Sequence, residues 1–265
     1  MTFTSTYCAA DMSDCEKKVV LIMGGSRGIG REVCRRLARE NPAAMIVAYH
    51  RDHEAAREVV AELEAGVTEV SLFATDVASP ERVGELFQSI KERYGRLDSY
   101  VHSAARTSFQ SLDKVTARTW RKVLGLNASA FQECAHQAAQ LMRLGGGGRI
   151  VGLSSLGSRF ALPGYGALGP NKAMMEAMAR YMAAEWAAWG VNVNMVCGGF
   201  VETDSTRMLP NYEEVAQEIE KNTPTGRLGQ PADLAKVVAF LCSAEADWLR
   251  GQTLVADGGY SLNIS

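Results

Sequence analysis

The chain has 265 residues, of which 47% are hydrophobic and 22% charged, with a formal net charge of −2. That is enough apolar material for one large core, and the near balance of charge without a long basic run argues against nucleic acid as the main partner. No apolar stretch approaches membrane-spanning length, and the N-terminus lacks the charged start and long apolar core of a secretion signal. Cys8, Cys15, Cys34, Cys134, Cys197 and Cys242 are scattered without metal-type pairing. A reducing cytoplasm is the expected compartment, with Cys34 and Cys134 as buried thiols on helices.

Met1 to Glu16 has no sustained period and is expected to be a flexible extension, leaving 17–265 as a single catalytic domain. From Lys18, Val-Val-Leu-Ile-Met-Gly-Gly-Ser-Arg-Gly-Ile-Gly reads as a buried strand, a glycine turn and a helix start. The spacing Gly24, Gly28, Gly30 is looser than the usual dinucleotide fingerprint, but its context fits one. Glycine there lets the backbone approach a pyrophosphate, whose charge a helix N-terminus favours.

Strand and helix patterns then alternate. Strands are expected at Ala44 to Tyr49, Glu69 to Thr75, Leu97 to Ser103, from Arg149, from Val191, and at Gln252 to Ala256. Helices are expected at Glu54 to Ala65, Pro80 to Tyr94, one or two within Ala117 to Leu144, Ala173 to Trp186, and Pro231 to Ser243. Such alternation predicts an α/β fold, a doubly wound, parallel, seven-stranded sheet of Rossmann type with helices on both faces. At the end of the second strand, where an acid would select a free ribose hydroxyl, stand His50 and Arg51, with Arg27 in the glycine turn. Guanidinium groups there suit a 2′-phosphate, and NADPH is the expected cofactor.

The fifth strand runs into Ser154-Ser155-Leu-Gly-Ser and on to Tyr165 and Lys172. A strand, a serine-bearing loop and a helix that brings up a lysine is an active-site layout in an α/β protein. A helix spanning Tyr165 and Lys172 would put them on one face. Gly164, Gly166, Gly169 and Pro170 support another arrangement, in which the helix starts near Pro170 and Tyr165 rides a loop that orders with substrate and points away without it.

These motifs, Gly24-Gly-Ser-Arg-Gly-Ile-Gly, Asp76-Val77, Asn127, Ser154-Ser155, Thr203 and Ala256-Asp-Gly-Gly, resemble in order and spacing the short-chain dehydrogenase/reductases from about Lys18 to the end. Three departures narrow the likeness. The family's usual tyrosine position, four before the lysine, is Leu168, whereas Tyr165 has six residues between it and Lys172. The usual Pro-Gly after the sixth strand is Gly198-Gly199. The usual Asn-Asn-Ala-Gly after the fourth is His102-Ser103-Ala104-Ala105. The first two departures resemble the NADPH-dependent enoyl-acyl-carrier-protein reductases of bacilli; the third departs from either branch.

The resemblance implies hydride delivery from NADPH to the β-carbon of a trans-2-enoyl thioester. Tyr165 would stabilise the enolate oxygen, Lys172 would hold the nicotinamide ribose, and Ser155 would contact substrate or order the site, with a strand-end cap as the rival role. Asn127 would be structural or hold water near Lys172. Cofactor contacts are expected from Gly24, Ser26, Arg27, Gly28, Ile29, Gly30, His50, Arg51, Asp76, Val77, Ser103, Ala104, Lys172, Gly198, Val201 and Thr203. Phe200 to Arg227 would cover the substrate. An acyl carrier protein is a possible partner, with Arg159 and Arg207 as its contacts, and the family's habit implies a homo-oligomer, tetramer or dimer. Two other functions stand beside this one: reduction of a ketone or conjugated small molecule in a specialised pathway, and dinucleotide sensing without chemistry.

Overall fold

The computed structural model describes residues 18–63, 69–106, 109–209 and 211–263; the expected N-terminal extension lies outside them. Seven parallel strands form one sheet: β1 (Val19–Met23), β2 (Ala44–Tyr49), β3 (Val70–Ala74), β4 (Ser99–His102), β5 (Gly148–Ser155), β6 (Val191–Gly198) and β7 (Thr253–Ala256). Their spatial order is β3-β2-β1-β4-β5-β6-β7. The chain winds outward from β1 to β3, returns to lay β4 on the other side of β1, and winds outward again. A parallel sheet with both faces covered favours strands with near-continuous apolar runs; β1 and β2 are such runs and are buried throughout, and β4 is buried throughout with Ser99 and His102 at its ends.

Successive β1 residues serve opposite layers, as a two-residue repeat requires. Val19, Leu21 and Met23 join one core with α3 (Pro80–Tyr94), α5 (Ala130–Leu144) and α6 (Leu168–Glu185). Val20 and Ile22 join the other with α1 (Gly28–Ala38), α2 (His53–Leu63) and α9 (Pro231–Cys242). The thiols of Cys34 and Cys134 are buried and free, as are those of Cys197 and Cys242.

The stretch expected to hold one or two helices holds α4 (Ala117–Leu124) and α5, joined without a break by a π-type turn at Gly125–Ser129. Thr116 caps α4 by accepting from the Thr119 N–H at 3.2 Å. In the turn, the buried Asn127 amide donates to the Val123 carbonyl at 2.8 Å and to the Arg106 carbonyl at 3.2 Å. It therefore ties the loop after β4 to the helix. After β6 come the short helix α7 (Asp204–Arg207), α8 (Tyr212–Asn222) and α9. No helix among the described residues is long and apolar enough to cross a membrane.

Candidate active site

Where the strand order reverses, β1 and β4 pair to their ends and the segments that follow them diverge, opening a cleft of about 510 Å³ at the carboxyl ends of the strands. This is the position at which open α/β sheets bind ligands. Its floor is the glycine turn. Gly24 has φ +82°, and a Cβ on it would stand 2.8 Å from the Ala104 nitrogen. At Gly30 a Cβ would stand 2.1 Å from the Gly24 carbonyl oxygen. Gly30 thus works behind the turn, letting α1 close onto β1, and does not line the cleft.

Of the other residues expected to meet a cofactor, Gly24, Ser26, Arg27, Gly28, Ile29, His50, Asp76, Val77, Ser103, Ala104, Lys172, Gly198, Val201 and Thr203 all line it. Arg51 does not: it is exposed beyond the end of β2. Arg27 faces Asp52 at 3.6 Å in a pair open to solvent, and His50 Nε2 lies 3.7 Å from Asp76. Such exposed contacts are weak and easily redirected. Sequence reasoning passed over Thr75, although it immediately precedes Asp76. It lines the cleft, is buried, and its Oγ1 has no partner among the described residues.

The far wall carries the residues expected to do the chemistry. Tyr165 lies outside α6, in the turn before it, which corrects the single helix expected to span Tyr165 and Lys172. The loop arrangement holds, but the tyrosine does not point away. The backbone of 165 forms a parallel bridge with Gln110. Its ring lies against Gly157, where a Cβ would come within 2.3 Å of Cδ1, and its phenol is near enough to Ser155 for that hydroxyl to influence its pKa. Burial raises the Tyr165 pKa, outweighing the Ser155 bond that lowers it. The phenol therefore stays protonated and able to donate. Leu168, at the family's usual tyrosine position, is 1% exposed and belongs to an apolar cluster with Val123 and Ala167.

Lys172, one turn into α6, is buried and donates to the Leu153 carbonyl at 2.8 Å. Burial brings its pKa down to about 8, while Cys197 and Glu176 act to raise it. His102 beneath it is wholly buried, and burial followed by the Lys172 charge brings its pKa down to about 3. The imidazole is therefore neutral, with Nδ1 2.6 Å from the Tyr100 hydroxyl.

The Ser155 Oγ accepts from the Gly157 N–H at 3.5 Å, as a strand-end cap does, and lies near the Tyr165 phenol. Ser154 is different. It donates to Glu176 at 2.5 Å, and Ser158 donates to the same carboxylate oxygen at 2.6 Å. Glu176 escaped the sequence reading although it lies one helical turn beyond Lys172. Thr203 caps α7 in a reciprocal pair with Thr206.

This arrangement of glycine turn, Asp76-Val77, serine, phenol and lysine agrees with comparison against known proteins. A family model described as enoyl-(acyl carrier protein) reductase matches residues 24–261. The chain belongs to the short-chain dehydrogenase/reductases. It is 38% identical over 248 residues to a 1-cyclohexenylcarbonyl-CoA reductase of Streptomyces collinus, covering 93% of this chain and 88% of that one. It is 33% identical over 252 residues to a short-chain type dehydrogenase/reductase of Picea abies, covering 91% and 92%. Among solved structures, a gluconate 5-dehydrogenase from Burkholderia cenocepacia in complex with NADP and tartrate superposes with a TM-score of 0.87. That likeness is at 28% identity and covers 93% of this chain and 96% of the other. As a member of this family, the chain is a nicotinamide-dependent oxidoreductase.

Proposed function

We propose that this short-chain dehydrogenase/reductase is an NADPH-dependent reductase of 2-enoyl thioesters, with Tyr165 as the donor to the thioester oxygen. One observation carries the reading. The usual tyrosine position is filled by the buried, apolar Leu168, and the phenol in the cleft comes instead from Tyr165, ahead of the helix. The other cleft-lining phenol, Tyr49, is engaged 2.8 Å from His53 Nδ1.

The displacement suits the substrate. In a ketone the hydride acceptor carries the oxygen itself, whereas in an enoyl thioester the oxygen lies two bonds further along. A phenol moved back along the chain follows that oxygen. The bound nicotinamide cofactor would supply the hydride to the β-carbon, the proton arriving at the α-carbon. Tyr165, held neutral by burial, donates a hydrogen bond where negative charge develops on the oxygen. Ser155, close to that phenol, would help to orient it. The Lys172 ammonium, anchored on Leu153, is placed to bind the nicotinamide ribose hydroxyls and to favour developing charge nearby.

A dinucleotide fits the cleft: the glycine turn leaves room that a Cβ would fill, and Thr75 offers an unpaired buried hydroxyl. For NADPH over NADH, support comes from Arg27 on the cleft wall and from His50 where an acid would select a free 2′-hydroxyl. The test follows nicotinamide absorbance while the enzyme is offered a trans-2-enoyl N-acetylcysteamine thioester and, separately, the β-ketoacyl thioester. Oxidation of NADPH by the enoyl ester alone is expected. Reaction with the keto ester alone would overturn the assignment of Tyr165.

A further inference from the structure

Between Asp98 and Glu133 the chain carries Arg106, Lys114, Arg118, Arg121 and Lys122 against the single acid Asp113, a local excess of +4 in a chain of net −2. Arg118, Arg121 and Lys122 fall at i, i+3 and i+4 on α4 and share one face, and all five cations are exposed. None of the five forms a salt bridge among the described residues. The opposite face of α4 packs Val123 and Trp120 against Ala167, Leu168 and Tyr165. The basic face is therefore on the side of α4 turned away from that packing, one helix diameter from the loop that holds Tyr165, while Arg106, earlier in the chain, lines the cleft.

Arg159 and Arg207, the cations expected to meet a partner, are already matched within the chain: Arg159 with Glu176 at 3.8 Å and Arg207 with Glu202.

Resting on the enoyl-thioester reading, we propose that the acyl group is carried by coenzyme A and that the basic arc from Arg106 to Lys122 binds its 3′-phosphate and diphosphate. Several unpaired cations within one or two helical turns suit a compact polyanion, since guanidinium groups take phosphate in paired, charge-assisted hydrogen bonds. A carrier protein is less suited. The segment following cleft-lining Met208 leads into α8, whose Glu213, Glu214, Glu218 and Glu220 are exposed. An acidic protein spanning the mouth would meet those carboxylates, whereas coenzyme A on the α4 side would not.

The experiment compares one 2-enoyl group on coenzyme A, on N-acetylcysteamine and on an acyl carrier protein, in the wild type and in an Arg118→Glu/Arg121→Glu double variant. The wild type should favour the coenzyme A ester. Charge reversal should raise its KM on the order of tenfold or more, with kcat unchanged and the loss shrinking at high salt. The N-acetylcysteamine ester, which lacks the phosphates, should react equally with both proteins and so report that the variant is folded. Arg118→Lys/Arg121→Lys should retain most of the preference.

A fall in activity equal for the two small esters would overturn the proposal, as would a wild type indifferent to the phosphates. Preferred turnover of the carrier-protein ester, lost on charge reversal, would give the surface to a protein instead. If neither small ester reacted, the enoyl reading itself would fail. Titration calorimetry with coenzyme A alone would still decide the surface: binding lost on charge reversal supports it, and absent or unaltered binding overturns it.

Discussion

The Lys172 ammonium is anchored to the sheet by a 2.8 Å bond to the carbonyl of Leu153, one residue before the serine pair. Lysine position and serine-loop position are thereby set by the same strand end. Burial holds the Lys172 pKa at about 8, with the Glu176 carboxylate on α6 facing it as a stabiliser of its charge and His102 on β4 kept neutral. A lysine is charged below its pKa, so activity should be full on the acid side and fall as pH rises through about 8. The check is kcat/KM against pH, which reports the free enzyme. Tyr165, raised by burial, does not contribute this limb.

Tyr165→Phe should lower kcat roughly 10²- to 10³-fold, the scale of losing one donor at a developing oxyanion. Cofactor affinity, followed by quenching of protein fluorescence, should be unchanged. Unaltered turnover would remove Tyr165 from the mechanism.

Glu176 is a structural keystone for the serine loop, since Ser154 on the strand and Ser158 beyond Ser155 both donate to it. Glu176→Ala strands two hydroxyls and should cost about 2–4 kcal/mol of stability in denaturant unfolding. Glu176→Gln keeps an acceptor but removes a charge that favours protonated Lys172, so its alkaline limb should move to lower pH.

Two glycine substitutions should act in opposite directions. Gly30→Ala places a Cβ 2.1 Å from the Gly24 carbonyl, and should weaken cofactor binding as the turn is pushed open. Gly84 lies within α3 with nothing within 4 Å of its would-be Cβ. Gly84→Ala should therefore stabilise, by up to about 1 kcal/mol from helix propensity. Thermal midpoints of both variants, with and without NADPH, check the pair.

Removing Arg27 should narrow the preference for NADPH over NADH, read as the ratio of their KM values. Arg51→Ala should leave that ratio alone, because Arg51 stands away from the cleft.

The sheet was legible because short β-prone runs, continuous in β1 and β2 and interrupted by Asn192 and Asn194 in β6, alternate with stretches of helical period; helix α3 has the expected bounds Pro80 and Tyr94. The glycine turn, Asp76-Val77, Lys172 and Thr203 were legible because a local motif fixes where each stands. The side-chain direction of Arg51 could not be read, since a side chain just past a strand end is free to turn either way. Whether Tyr165 belongs to the helix was undecidable from spacing alone: α6 begins at Leu168, two residues before Pro170, and the tyrosine's place is set by Gln110 and Gly157, which are distant in sequence or lie across the loop. Glu176 gave no sign because its partners are serines some twenty residues earlier, and only the packing of α6 on the end of β5 brings them together.

The π-type turn at Gly125–Ser129 has a consequence for how this region tolerates change. An α-helix rotates by about 100° per residue, so a widened turn alters the phase between the helical segments on either side. Here α4 keeps its arginines outward while α5 directs Phe131, Cys134 and Ala138 into the core. A one-residue deletion in the turn would set these two faces out of step, forcing charge inward or aromatic surface outward. Insertions and deletions at 125–129 should therefore be poorly tolerated, because the phase between the two helices has to be kept there.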